Sequence, residues 1–132
     1  MEIRISSERG KVPVTVMHVT GNIDSGTYES FLARAEEAMK NGARHILVDL
    51  EQAPFVSSAG LRALNSIFNR LRELSPDVSD EEMRKGLKDG SYKSSHLKLL
   101  KPSEASLLTL QNSGFSMFLQ IFTDFKTALA SY

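Results

Sequence analysis

Asp-Leu-Glu-Gln-Ala-Pro-Phe-Val-Ser-Ser-Ala-Gly-Leu-Arg-Ala-Leu, residues 49–64, is the passage on which the fold turns. It grows out of the run Ile46 to Leu50, short and almost continuously apolar, as a buried parallel strand is. A short loop leads to two adjacent serines, Ser57 and Ser58. Beyond them Leu61, Leu64, Phe68 and Leu71 recur at helical spacing, with Ile67 beside them. Ala59 and Gly60 fall in the first turn, where small side chains leave the serine hydroxyls open to a large group. A helix start offers unpaired N–H groups and a partial positive charge. That combination suits the placement and removal of a phosphate.

Upstream, Ile3 and Ile5 alternate with Glu2 and Arg4 as in a strand, and Glu8-Arg9-Gly10-Lys11 has the form of a hairpin turn. Val12 to Val19 reads as the second strand, with Val12, Val14, Val16 and His18 on one face and Pro13 near the start. Tyr28, Phe31, Leu32, Ala35, Ala38 and Met39 mark a helix that Gly42 ends. Downstream, residues 75–96 are polar and charged. There Ser79 with Glu82 forms a capping box, so a short helix is predicted over about 80–88. Leu97, Leu99 and Leu100 form a strand. Pro102-Ser103-Glu104 opens a helix to about Gln111, with Gly114 after it. Phe118 to Phe122 reads as a last strand, and Thr123 caps a final helix. The order β-β-α-β-α-(α)-β-α-β-α implies a mixed, mainly parallel sheet with helices packed on it.

The chain has 132 residues, one ordinary domain, with 41 % apolar and 24 % charged residues. Sixteen basic residues balance sixteen acidic ones. With no basic run, direct binding to nucleic acid is not expected. The absence of cysteine removes disulfides, a thiol nucleophile and a zinc–thiolate site. His18, His45 and His96 lack metal-ligand spacing, so no metal or cofactor is expected. No apolar run approaches a membrane span, and the start of the chain does not read as a signal peptide, so the cytoplasm is the expected compartment. Phe-Val-Ser-Ser-Ala departs from the Gly-x-Ser-x-Gly of a hydrolase elbow, and no base is evident for Ser57, so no enzymatic activity is expected.

Three segments, in order and correctly spaced, resemble the STAS domain of anti-sigma factor antagonists. Gly21-Asn22-Ile23-Asp24 matches the family's Gly-x-x-Asp. Ile46 to Leu50 matches its central strand. Phe55-Val56-Ser57-Ser58-Ala59-Gly60-Leu61 matches its phosphorylation segment. The resemblance implies an α/β, STAS-like fold: a mixed, mainly parallel sheet of about five strands with about four main helices and one short inserted helix. It also implies a single domain over 1–132 with an insertion at about 75–96.

As the resemblance implies, a serine kinase that is also the anti-sigma factor phosphorylates the first of the paired hydroxyls. By position this is Ser57, with Ser58 as the secondary candidate. The unmodified antagonist binds the anti-sigma factor and frees sigma; a serine phosphatase reverses the modification. Asp24 corresponds to the acidic residue that family members hold near the phosphoserine. Val56, Ser58, Ala59, Gly60 and Leu61 complete the neighbourhood. Val56 stands where the family usually carries Asp, and the 75–96 segment is a second departure. Both leave room for an alternative, a STAS module that senses a nucleotide or lipid, or a STAS subunit of a transport or signalling complex. The likeness implies a bacterial source.

Overall fold

The computed structural model describes residues 1–132. Strands β1 (Glu2–Arg9) and β2 (Pro13–Thr20) form the opening hairpin. Helix α1 (Tyr28–Lys40), strand β3 (Ile46–Gln52) and helix α2 (Ser58–Leu74) follow. Helix α3 (Asp80–Asp89), strand β4 (Leu97–Leu100), helix α4 (Glu104–Ser113), strand β5 (Ile121–Phe122) and helix α5 (Phe125–Ala130) complete the chain. The strands lie side by side in chain order in one sheet. The β1–β2 pair is antiparallel and every other pair is parallel, which gives the mixed, mainly parallel sheet expected.

Side-chain alternation along β2 sorts the molecule into two layers. Met17 and Val19, with Ile46, Val48, Leu50, Leu97 and Leu99, bury against Phe31, Ala35 and Met39 of α1, Leu64, Ile67 and Leu71 of α2, and Leu110 of α4. The opposite set, Val14, Val16, Leu47 and Leu100, packs on Ala128 of α5. α5 is short and covers only part of that face. Lys98 helps to hold it there. This buried lysine donates to the Ser131 carbonyl at 2.8 Å and to Ser131 Oγ at 2.9 Å, with its ammonium 4.4 Å from the Tyr132 ring centre. Burial lowers its pKa below the ordinary lysine value.

Two ends differ from the sequence-based reading. Phe118 does not begin the last strand. Phe115–Met117 forms a 3-10 turn after Gly114, and pairing starts only at Ile121. The dense aromatic residues pack on each other instead, Phe68 with Phe118 and Phe115 with Phe118. The cap of α5 is Asp124, not Thr123, because its carboxylate accepts from the Thr127 N–H at 2.9 Å. Ser79 caps α3 as predicted, with the Glu82 N–H on Ser79 Oγ at 3.1 Å, but the Glu82 side chain does not close the capping box.

The 75–96 segment is fastened to the end of α2 by a polar cluster. Arg72 donates to Asp77 at 3.1 Å, to Asp80 at 3.3 Å and to the Val78 carbonyl at 2.8 Å. The Tyr92 hydroxyl donates to the other Asp77 oxygen at 2.7 Å. Side-chain exposure is only 9 % for Arg72 and 13 % for Asp77, so each needs the other. Burial pushes the Asp77 carboxyl up, but the hydrogen bonds from Tyr92 and Arg72 outweigh it and leave its pKa below the ordinary value. A carboxylate held low stabilises the fold fully above its unfolded pKa, near 4, and loses that contribution as pH falls through the folded value. Asp77→Asn is expected to cost about 2–3 kcal/mol at neutral pH. The difference from the parent shrinks as pH drops below about 4. Urea denaturation of both proteins at pH 7 and pH 3 checks this; an equal difference at the two pH values would contradict it.

Candidate functional site

The Ser57 segment is positioned from two sides. On one side it meets the turn after β2. Ile23 and Val56 form an isolated parallel bridge, with the Ile23 N–H on the Phe55 carbonyl at 3.0 Å and the Ser57 N–H on the Ile23 carbonyl at 2.9 Å. On the other side stands the first turn of α4. Ser106 Oγ accepts from the Val56 N–H at 3.0 Å, and Ser103 Oγ donates to the Pro54 carbonyl at 2.7 Å. Ser103 also caps α4 by accepting from the Ser106 N–H at 3.1 Å. A loop whose main-chain groups are tied to both neighbours presents its serine in a fixed place.

Ser57 is extended and is the N-cap of α2. Its Oγ accepts from the Gly60 N–H at 3.4 Å, a long bond that holds the hydroxyl loosely. Ser57 is half-buried and Ser58, the first helical residue, is exposed. No acidic side chain occupies the first turn of α2, so the positive end of the helix keeps its potential. The helix is 17 residues long, with its apolar face fully engaged by the core.

Asp24 sits one residue beyond the bridge that anchors Ser57. Its Oδ1 accepts from the Gly26 N–H at 2.9 Å and from Thr27 Oγ1 at 3.2 Å, so the carboxylate orders the turn into α1. Thr27, at the helix N-cap, makes no side-chain cap bond of its own. Val56, Ala59, Gly60 and Leu61 are buried. They set the height and direction of the helix start and do not line its surface. The apolar side chain at 56 suits its place, which is sealed from water. The small residues have a packing reason: a methyl group on Gly60 would sit 2.7 Å from the Ile23 carbonyl oxygen and 2.7 Å from Val56 Cγ1. One exposed apolar side chain, Phe55 at 39 %, lies two residues before Ser57.

Sequence reasoning missed the Ser103–Ser106 support, because no local pattern says that α4 will lie against residue 56. It also missed a polar row on the sheet face left bare by α5. His18 Nδ1 lies 2.8 Å from Asp49 Oδ2, and His18 Nε2 lies 2.9 Å from Ser6 Oγ. The alternation along β2 placed His18 on that face, but only the observed register sets it opposite Asp49. β3 runs past the expected Leu50 to Gln52, and the second Asp49 oxygen accepts from the Glu51 N–H at 3.1 Å. The connectivity is that of an acyl-transfer triad. However, strand N–H groups lie in the plane of the sheet while the Ser6 hydroxyl stands out from it, so no backbone donors converge on a group attached there. Ser57, the serine at the helix start, has no histidine hydrogen-bonded to it.

Gly60→Ala is expected to destabilise the protein by about 1–3 kcal/mol, because the methyl group meets backbone that cannot retreat. A shift in the urea midpoint at constant slope checks this. Ser57→Ala is expected to cost less, about 1 kcal/mol, as loss of a helix cap.

No helix is long and apolar enough to cross a membrane, and no three histidine, aspartate or glutamate side chains stand together as metal ligands. No curated protein matches the sequence. Among solved structures, an anti-sigma factor antagonist from Mycobacterium paratuberculosis superposes with a TM-score of 0.69 at 15 % identity, over 98 % of this chain and 93 % of that one. The anti-sigma factor antagonist SpoIIAA in its unphosphorylated form gives 0.68 at 18 % identity, over 96 % and 93 %. The Bacillus cell fate determinant SpoIIAA in its phosphorylated form gives 0.62 at 17 % identity, over 96 % of each. At such identities the likeness is one of fold. The sequence itself matches the STAS domain family model over residues 7–78, more than half of the chain, and the protein belongs to the STAS domain family.

Proposed function

We propose that this STAS domain is an anti-sigma factor antagonist, a non-catalytic binding module switched by reversible phosphorylation of Ser57. The observation that carries the reading is the state of that serine. It is half-exposed, rigidly presented and loosely held, at the start of a long helix free of acidic side chains in its first turn. The unmodified protein binds an anti-sigma factor that is also the serine kinase, and a serine phosphatase restores the unmodified form. Phe55, exposed two residues before the hydroxyl, supplies apolar contact, and the α2 start forms the centre of the docking surface.

Phosphorylation adds a charge of about −1.5 to −2 at neutral pH. On Ser57 the new oxygens take up the N–H groups of the first turn of α2, a favourable place for an anion. The helix end offsets about 0.3–1 kcal/mol of the cost when exposed, so the fold survives modification. A partner packed flat on Ser57 loses more. A buried, unpaired charge weakens such a contact by about 2–5 kcal/mol, which is about thirtyfold to several thousandfold in affinity. A covalent change at one oxygen thus switches the interface without a large rearrangement.

Incubation with the kinase encoded beside the gene and ATP is expected to add one phosphate. Peptide mapping places it on Ser57, present in Ser58→Ala and absent in Ser57→Ala. Ser57→Asp is expected to bind the same kinase at least thirtyfold more weakly by calorimetry. Wild-type affinity in Ser57→Asp, with phosphate mapped elsewhere, would overturn the assignment.

A further inference from the structure

We propose that β1 pairs with β1 of a second copy of this chain, antiparallel about a two-fold axis at Ser6, to join two five-stranded sheets into one. β1 stands at the edge of the sheet and pairs only with β2. The direction of its free groups follows from two bonds. The Thr15 N–H donates to the His45 carbonyl across the β2–β3 boundary at 2.9 Å, so odd-numbered residues of β2 face β3 and even-numbered ones face β1. The β1 partners of those even residues, Arg4 opposite His18 and Ser6 opposite Val16, therefore spend their main-chain groups on β2. Odd-numbered residues of β1 point outward. Accordingly, the Ile3 carbonyl takes a hydrogen bond from Arg34 Nη1 at 3.2 Å from outside the sheet. Ile5 and Ser7 come next along this edge, with no strand to receive them.

Edge strands are commonly blunted by charge, but the charges of β1 are complementary to themselves. Glu2, Arg4, Ser6 and Glu8 share the face of His18. With Ser6 opposite Ser6, each Arg4 faces Glu8 of the other copy, twice by symmetry. A shift of two residues one way sets Glu2 against Glu8, and a shift of four the same way sets Arg4 against Arg4. A shift of two the other way leaves Arg4 opposite Gly10. Among the registers that overlap five or more residues of β1 in each copy, this one alone pairs the charges, and cross-strand pairs of this kind choose register. In it Ile5 and Ser7 exchange hydrogen bonds with Ser7 and Ile5 of the second copy, and the pairing stops there, because Arg9 of the second copy falls opposite Ile3, whose carbonyl is already taken by Arg34. The axis passes a non-hydrogen-bonded pair, where side chains come closest, and there the protein has serine.

Sedimentation equilibrium of the full chain is expected to show a monomer–dimer equilibrium. Glu8→Arg and Arg4→Glu are each expected to weaken the dimer about tenfold or more, since each replaces two attractive pairs with two repulsive ones. The double variant Arg4→Glu/Glu8→Arg is expected to restore it. Because the chain has no cysteine, Ser6→Cys supplies a single thiol, with about 4.5 Å between opposed Cα atoms, which is within disulfide reach. Mild oxidation is expected to link Ser6→Cys protomers and to leave Ser7→Cys, which faces Ile5, unlinked. A monomer at every concentration overturns the proposal, as does a dimer indifferent to charge reversal or one that the double variant does not restore.

Discussion

The bridge between Ile23 and Val56 is the constraint on which the arrangement of the site depends. Two connections that leave the sheet at its same end, one after β2 and one after β3, meet there and exchange main-chain hydrogen bonds. Neither is a strand, so without each other their polar groups would have to find water. Together they seal Ile23 and Val56 into the core and fix the height at which α2 begins. Gly60 then lies flat on the bridge. The cap serine, the turn of Asp24 and the first turn of α4 all take their positions from this crossing.

Much of this was legible beforehand because it is local. The apolar run at 46–50, the period of α1 and α2, the cap at Ser79 and the glycine at 114 each state their structure within a few residues. Where the reading slipped, tertiary packing decided the outcome. Phe118 has strand character, but its ring packs on Phe68 and Phe115 at the edge of the core, and the chain pairs with β4 only from Ile121. The choice of Asp124 over Thr123 as a cap turned on which of two adjacent side chains reached the Thr127 N–H first, a matter of one residue.

The site was legible to a different depth. Ser57 and Ser58 announce a helix start, and the segment order announces a family, but the residues that hold the loop in place come from elsewhere in the chain. Ser106 lies fifty positions beyond Val56, and nothing in either segment names the other. The buried residues of the motif show why small and apolar side chains recur there. They are the seat of the helix, and the side of the segment left open to solvent is made by Phe55, Ser57 and Ser58.

The docking of α5 through Lys98 carries a consequence for how the molecule breathes. Six residues are too few for a helix to stand alone in water, so α5 exists only while it adheres to the sheet. Part of that adhesion is the apolar contact of Ala128, Phe125 and Leu129, and part is a buried cation satisfied by a carbonyl, a hydroxyl and an aromatic ring, with no carboxylate among its hydrogen-bond partners. α5 is therefore expected to open at a lower free-energy cost than the layer of α1 and α2, with its amides exchanging through local opening while those of β2 and β3 wait for global unfolding. Such an opening would uncover Val16 and Leu47, on which α5 packs, without touching the crossing that holds Ser57.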